Sequence, residues 1–257
     1  MIPRLIQKQL LRLWASYPVV TITGPRQSGK TTLARATFPD LPYVNLESPD
    51  LRALADNDAR AFLQAYPAPV IFDEIQRVPQ LLSYIQTIVD ESGKNGQYLL
   101  TGSHQPQLNA GISQSLAGRT GLLRLLPLSI QELHMAGITL DRDEYLFKGF
   151  MPRAYSTALE PHTLYSDYFA TYVDKDVRQI ANLNNLSAFE TFMKLLAGRC
   201  GQLLNLNSLA NDVGVSSPTI AAWLSVLEAS FIIFRLPCYY ENFGKRLLKS
   251  QKLYFTE

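Results

Sequence analysis

Eight consecutive residues, Gly24-Pro25-Arg26-Gln27-Ser28-Gly29-Lys30-Thr31, carry the spacing G-x-x-x-x-G-K-[ST] of a loop that wraps around phosphate oxygens. Glycine permits a backbone that turns its N–H groups inward, and the positive end of a following helix adds to their attraction for an anion. Gly24 and Gly29 therefore fall at the tight ends of the loop. Lys30 is the candidate partner of β- and γ-phosphates, and the Thr31 hydroxyl is the candidate ligand of a magnesium ion. Pro25, Gln27, Ser28 and Thr32 complete the expected nucleotide-binding run, and Arg26 either touches phosphate or covers the loop. An ordinary Gly/Pro turn is the bland alternative, and the downstream motifs weigh against it.

The second group is Pro69-Val70-Ile71-Phe72-Asp73-Glu74, an apolar run ending in adjacent carboxylates, which looks like a Walker B strand. Asp73 is the candidate magnesium ligand, directly or through water, and Glu74 the candidate base that orients and polarises a water for attack on the γ-phosphate. Such a pair is ordinarily just a solvated strand end; its place after a phosphate loop gives it a role and favours hydrolysis over storage. A third run, Gln97-Tyr98-Leu99-Leu100-Thr101-Gly102-Ser103, ends in hydroxyls. Thr101 or Ser103 could sense the γ-phosphate, although Thr and Ser favour strand ends in any case. Residues 107–117 read as a short helix, followed by Gly118-Arg119 and an apolar strand from Leu122 to Leu128, which sets Arg119 just before a fifth strand.

The elements that must position these groups are legible as period and punctuation. Val19 to Thr23 is β-branched and apolar, and Thr32 to Ala36 reads as a helix, the strand–loop–helix setting that the phosphate loop requires. Ser48 to Tyr66 reads as one helix, and Val78 to Asp90 as another, with Leu81, Leu82, Ile85, Ile88 and Val89 at helical spacing. Alternating strands and helices up to Leu128 predict a parallel sheet covered on both faces. Beyond Thr163 the pattern is mainly helical. There, Ser208 to Ser216 followed by Ser217 to Leu224 resembles a helix–turn–helix, with Gly214 at the turn, Ser216 or Ser217 as cap and Pro218 in the first turn. Phe231 to Leu236 then supplies a wing.

The second helix of that pair, from Pro218 to Ser230, contains no Lys or Arg and carries Glu228, which opposes a grip on phosphate backbone. A protein contact or a lid is the preferred reading over DNA readout. Lys245, Arg246, Lys249 and Lys252 are the candidate DNA contacts, and a solvated charged face is their plainer account. Asp167, Asp174 and Asp176 could bind metal, but an exposed acidic helix explains them more simply.

The chain has 257 residues, 47% of them hydrophobic, with a formal net charge of +2. This excludes a basic nucleic-acid tail and an acidic disordered region. No run of about twenty apolar residues occurs, and Met1 to Lys8 reads as an amphipathic helix without a signal-peptide core, so a cytoplasmic protein off the membrane is expected. Cys200 and Cys238 are far apart and lack metal-ligand spacing, which leaves reduced thiols as the default.

Several runs together carry a family resemblance: the loop with Arg26, Phe72-Asp73-Glu74-Ile75-Gln76-Arg77, Leu100-Thr101-Gly102-Ser103, Leu116-Ala117-Gly118-Arg119 and Leu126-Pro127-Leu128-Ser129-Ile130-Gln131-Glu132-Leu133. In this order they resemble the bacterial and archaeal AAA-type ATPases that carry a DUF4143 region. The resemblance implies a three-layer α/β core with an additional-strand parallel sheet of order 5-1-4-3-2, followed by a mainly helical winged-helix module. The corresponding boundaries are an ATPase core at 1-135, a helical linker at 136-180 and the module at 181-257. It also implies ATP with Mg2+ as cofactors, Thr101 beside the γ-phosphate, and Arg119 as an arginine finger offered to a neighbouring subunit in a homo-oligomer; a surface arginine is the alternative. Relatives of this kind continue into a nuclease-like domain; the expectation is that this domain is missing here and that the numbered sequence is a fragment or a truncated product. Lys148-Gly149-Phe150-Met151-Pro152-Arg153 departs from the family's Gly-Gly-x-Pro run. The expectation is an ATP-hydrolysing protein acting on an unidentified protein partner; the alternative is a nucleotide-gated switch or DNA-associated regulator with little turnover.

Overall fold

Val19–Gly24 (β1) is buried at all six positions, as a central strand covered on both faces must be. A computed structural model describes residues 2–103, 111–112, 114–171, 186–239 and 250–256, and the chain divides into two compact units, Met1–Ala158 and Leu159–Glu257. In the first unit β1 lies in a five-stranded parallel sheet with Tyr43–Asn45 (β2), Val70–Asp73 (β3), Tyr98–Ser103 (β4) and Thr120–Arg124 (β5). The sheet order is β2-β3-β4-β1-β5, which read from β5 is the order 5-1-4-3-2 that the resemblance implied.

Alternation along the strands divides the core into two layers. Val19, Val70, Phe72, Tyr98 and Leu100 face one way and pack with helices Pro49–Asn57 (α3), Ala59–Ala65 (α4) and Leu81–Ser92 (α5). Val20, Ile22, Ile71, Leu99 and Leu123 face the other way, toward Gln7–Ser16 (α1) and Lys30–Thr37 (α2). The helix read over Ser48 to Tyr66 is in fact two, broken at Asp58, whose side chain accepts from the Ala61 N–H at 2.9 Å and caps α4. Aspartate does this readily because its short side chain competes for local backbone donors. The helix expected over residues 1–8 begins only at Gln7. Instead, Leu5 gives its N–H to Glu132 at 2.9 Å, and the Arg4 side chain reaches the same carboxylate. Strand β5 ends at Arg124, earlier than the expected Leu128; Pro127 has no N–H with which to extend a ladder.

After the sheet come Ile130–Met135 (α6), Arg142–Lys148 (α7) and Pro152–Ser156 (α8). Capping boxes open the first two, from Ser129 with Glu132 and from Asp141 with Glu144. The second unit contains Pro161–Tyr168 (α9), Leu186–Ala197 (α10), Leu206–Val213 (α11), Ser217–Ala229 (α12) and an antiparallel pair, Ile233–Leu236 (β6) with Lys252–Phe255 (β7). Trp223 packs on Phe189 and Phe192, with ring centroids 5.3 and 5.2 Å apart, and Ile220, Leu224 and Leu227 join them in the core. Gly214 ends α11 at φ 79°, the left-handed conformation expected of the turn residue. Among the described residues no helix is long and apolar enough to cross a membrane. Lys245, Arg246, Lys249, Asp174 and Asp176 lie outside the described residues, and Lys252 is exposed on β7.

Candidate functional site

Parallel pairing brings the C-terminal ends of β1, β3 and β4 to one edge of the sheet, and the loop of residues 24–29 leaves β1 there. A Cβ on Gly24 would stand 2.1 Å from the Leu125 carbonyl oxygen, so only glycine fits between the two chain segments. Gly29 at φ 91° forms the N-cap of α2 without any side-chain cap, which leaves the first amides of that helix open to a ligand. Gln27 at φ 61° and Glu74 at φ 58° are non-glycine residues in left-handed backbone, the strain that concentrates at functional loops.

Lys30 is 5% exposed and donates back to the carbonyls of Gly24 at 3.1 Å and Pro25 at 2.8 Å. Burial lowers its pKa from 10.5 to about 8, opposed by the negative charges of Glu74 and Asp73 and assisted by the positive charge of Arg26. Beside it, Asp73 collects hydroxyls. The Thr31 hydroxyl lies 3.0 and 2.9 Å from its two carboxylate oxygens, the Tyr43 phenol donates at 2.7 Å, and the Thr101 hydroxyl donates as well. Burial, then the hydrogen bond to Asp73 and its charge, push the Tyr43 phenol well above its ordinary pKa. The Glu74 N–H donates to Thr101 Oγ1 at 3.3 Å, and the Gln76 side-chain amide donates to the Glu74 carboxylate.

Ser28 Oγ, in the loop, and Ser103 Oγ, at the end of β4 in register with Gly24, are buried and have no hydrogen-bond partner among the described residues. Orphaned buried hydroxyls carry a desolvation cost that an arriving polar ligand removes. Open helical amides, a buried cation and two orphan hydroxyls fit phosphate. The oxygen donors of Thr31 and Asp73 fit a hard divalent cation such as magnesium.

The structure thus brings together Gly24, Pro25, Ser28, Gly29, Lys30, Thr31, Asp73, Glu74 and Thr101, with Arg26 near enough for its charge to act on Lys30. Arg119 stands apart from them. Its carbonyl accepts from Val19 at the start of β1, the end of the strand opposite Gly24, and its guanidinium pairs with Asp90 at 2.5 and 2.8 Å. Sequence reasoning missed Tyr43, Gln76 and Arg4. Gln76 stood in the quoted strand-end motif without a role, whereas no spacing signal marks Tyr43 or Arg4.

Residues 16–134 match the family described as an AAA domain, and residues 139–257 match a domain of unknown function, DUF8612, in the part for which the resemblance named DUF4143. Uncharacterized proteins of Mycobacterium bovis and Mycobacterium tuberculosis are each 29% identical over 245 residues, covering 93% of this chain and 54% of the relative. The chain therefore spans about half the length of these curated relatives. Among solved structures, the Walker-type ATPase of Pyrococcus abyssi is similar with a TM-score of 0.59 at 16% identity, over 100% of this chain and 94% of that one. The parallel sheet and its helices have a P-loop NTPase fold, and the domain match supports an ATP-binding, ATPase-type function for the first unit.

Proposed function

We propose that the first unit binds MgATP and hydrolyses it to ADP and phosphate, and that the second unit couples this cycle to a protein partner. The convergence of Lys30, Thr31, Asp73 and Glu74 at one sheet edge carries the reading. Lys30 exchanges the Gly24 and Pro25 carbonyls for phosphate oxygens, while the amides from Gly29 onward receive the rest of the anionic charge. Thr31 and Asp73 would hold magnesium, which when bound would neutralise charge on the transferring phosphoryl group. Glu74 takes the proton from the attacking water, and Thr101 keeps Asp73 and the Glu74 backbone in place. Adenine is preferred on the strength of the AAA match; no Asn-Lys-x-Asp motif for reading guanine is present.

We read α10 to α12 with β6 and β7, within the part that matches DUF8612, as a winged-helix module acting in the cytoplasm. The exposed residues of α12 include Pro218, Ala222 and Ser225, a neutral surface suited to a protein contact and poor for DNA phosphates. A second reading, a nucleotide switch with little turnover, draws on two contacts: Gln76 occupies the Glu74 carboxylate, and Asp90 occupies Arg119. The deciding experiment is ATP turnover by the parent and Glu74→Gln, with and without DNA, across protein concentrations. Hydrolysis predicts a loss of at least about 100-fold in Glu74→Gln with ATP binding retained. Equal turnover in the two proteins removes Glu74 as the base, and no turnover in either selects the switch.

A further inference from the structure

Arg4 lies outside every motif, yet its guanidinium is buried behind the phosphate loop, with the side chain 8% exposed. One terminal nitrogen donates to the Ser28 carbonyl at 2.7 Å. The other donates to the carbonyls of Leu126 and, at 3.2 Å, Pro127. Nε donates to Glu132 at 3.1 Å, and Glu132 is itself fixed by the Leu5 and Ser129 amides, each at 2.9 Å. The same nitrogen that reaches Ser28 would stand 3.6 Å from a Cβ on Gly29, so the guanidinium backs directly onto the last turn of the loop.

The Ser28 carbonyl and the Gly29 N–H belong to one planar peptide unit. A charged donor on the carbonyl side both fixes the orientation of that plane and polarises the N–H on its other side, since hydrogen bonds in a chain strengthen one another. Gly29 is the N-cap of α2 and the first of the amides presented to an anion. We infer that Arg4 is a positioning residue for the phosphate loop, holding and polarising the Ser28–Gly29 peptide from behind so that its N–H meets the phosphates of a nucleoside di- or triphosphate. The inference rests on the nucleotide-binding reading. It assigns to Arg4 a function separable from its ion pair: Glu132 anchors the guanidinium, and the Ser28 bond does the positioning. A lysine cannot reproduce this, because one ammonium cannot fork among acceptors on three sides.

The test compares MgADP affinity by calorimetry, and unfolding midpoint without nucleotide, for the parent, Arg4→Met, Arg4→Lys and Glu132→Gln. Arg4→Met is expected to weaken MgADP about tenfold, whereas Glu132→Gln lowers the unfolding midpoint and keeps affinity within about twofold of the parent. Arg4→Lys keeps the charge and the stem and is expected to weaken binding about threefold, which preserves the test if Arg4→Met does not fold. Parental affinity in Arg4→Met, or in Arg4→Lys where Arg4→Met does not fold, overturns the inference. So does an affinity loss in Glu132→Gln equal to that of Arg4→Met, because the effect then runs through the fold alone. A parent that binds no MgADP removes the nucleotide reading together with the inference, whereas a binding parent with an indifferent Arg4→Met removes the inference alone.

Discussion

The helix starts at Lys30 and at Ser217 follow the same local plan, a turn feeding a helix, and treat their free amides in opposite ways. At α12, Ser216 accepts from the Thr219 N–H at 3.3 Å, its hydroxyl pairs with Thr219 Oγ1 at 2.8 Å, and Pro218 removes a donor that would otherwise need a partner. At α2 the N-cap is glycine, no side chain caps the end, Lys30 folds back onto the loop, and Ser28 Oγ is buried without a partner among the described residues. One end is complete in itself; the other is held ready for something outside the chain. A ligand site is thus recognisable where ordinary local satisfaction is withheld inside an otherwise well-satisfied fold.

Lys30→Ala is the strongest way to break the contrast. It removes the buried cation and is expected to weaken ATP and ADP by more than about 100-fold in calorimetry. Retained affinity would place the two helix starts on the same footing. A second test uses pH. Phosphate needs the protonated Lys30, whose pKa burial lowers from 10.5 to about 8, so MgADP affinity should fall by up to about tenfold per pH unit above about pH 8. Stability without nucleotide should move the other way. Between about 8 and 10.5 the unfolded chain holds more protons at this site than the folded one, so the Lys30 contribution to stability rises with pH in that window. Affinity that stays flat from pH 7 to 9.5 would dismiss Lys30 as the titrating contact. The smallest effect sharpens the closed end: Ser216→Ala is expected to cost about 1 kcal/mol of second-unit stability in denaturant unfolding. It should leave MgADP affinity unchanged.

Much of this contrast was legible before any coordinates. The spacing from Gly24 to Thr31 and the apolar run ending at Asp73 marked the residues that the structure brings together at the candidate site, because a phosphate loop and a strand-end carboxylate are written in contiguous residues. The capping of α12 was legible for the same reason, being local. Apart from Gln76, which reaches Glu74 only two residues away, what escaped at the site was carried by reach across the sheet or by the opening segment. Tyr43 sits at the start of a three-residue strand and extends to Asp73, and Arg4 meets carbonyls as remote in sequence as those of Leu126 and Pro127. Backbone carbonyls carry no sequence signal, so an arginine serving them looks like any other. The break at Asp58 was missed because an aspartate between two helical patterns reads as an exposed helical residue until its side chain is seen to cap the second.

The seat of Lys30 on the carbonyls of Gly24 and Pro25 has a kinetic meaning. The ammonium is held at the mouth of the loop by bonds that a phosphate can replace one for one, on a loop whose shape the Gly24–Leu125 approach already fixes. Arrival of a nucleotide then requires an exchange of partners and no refolding. Changes at Lys30 should accordingly appear less in how often a nucleotide is captured than in how long it stays.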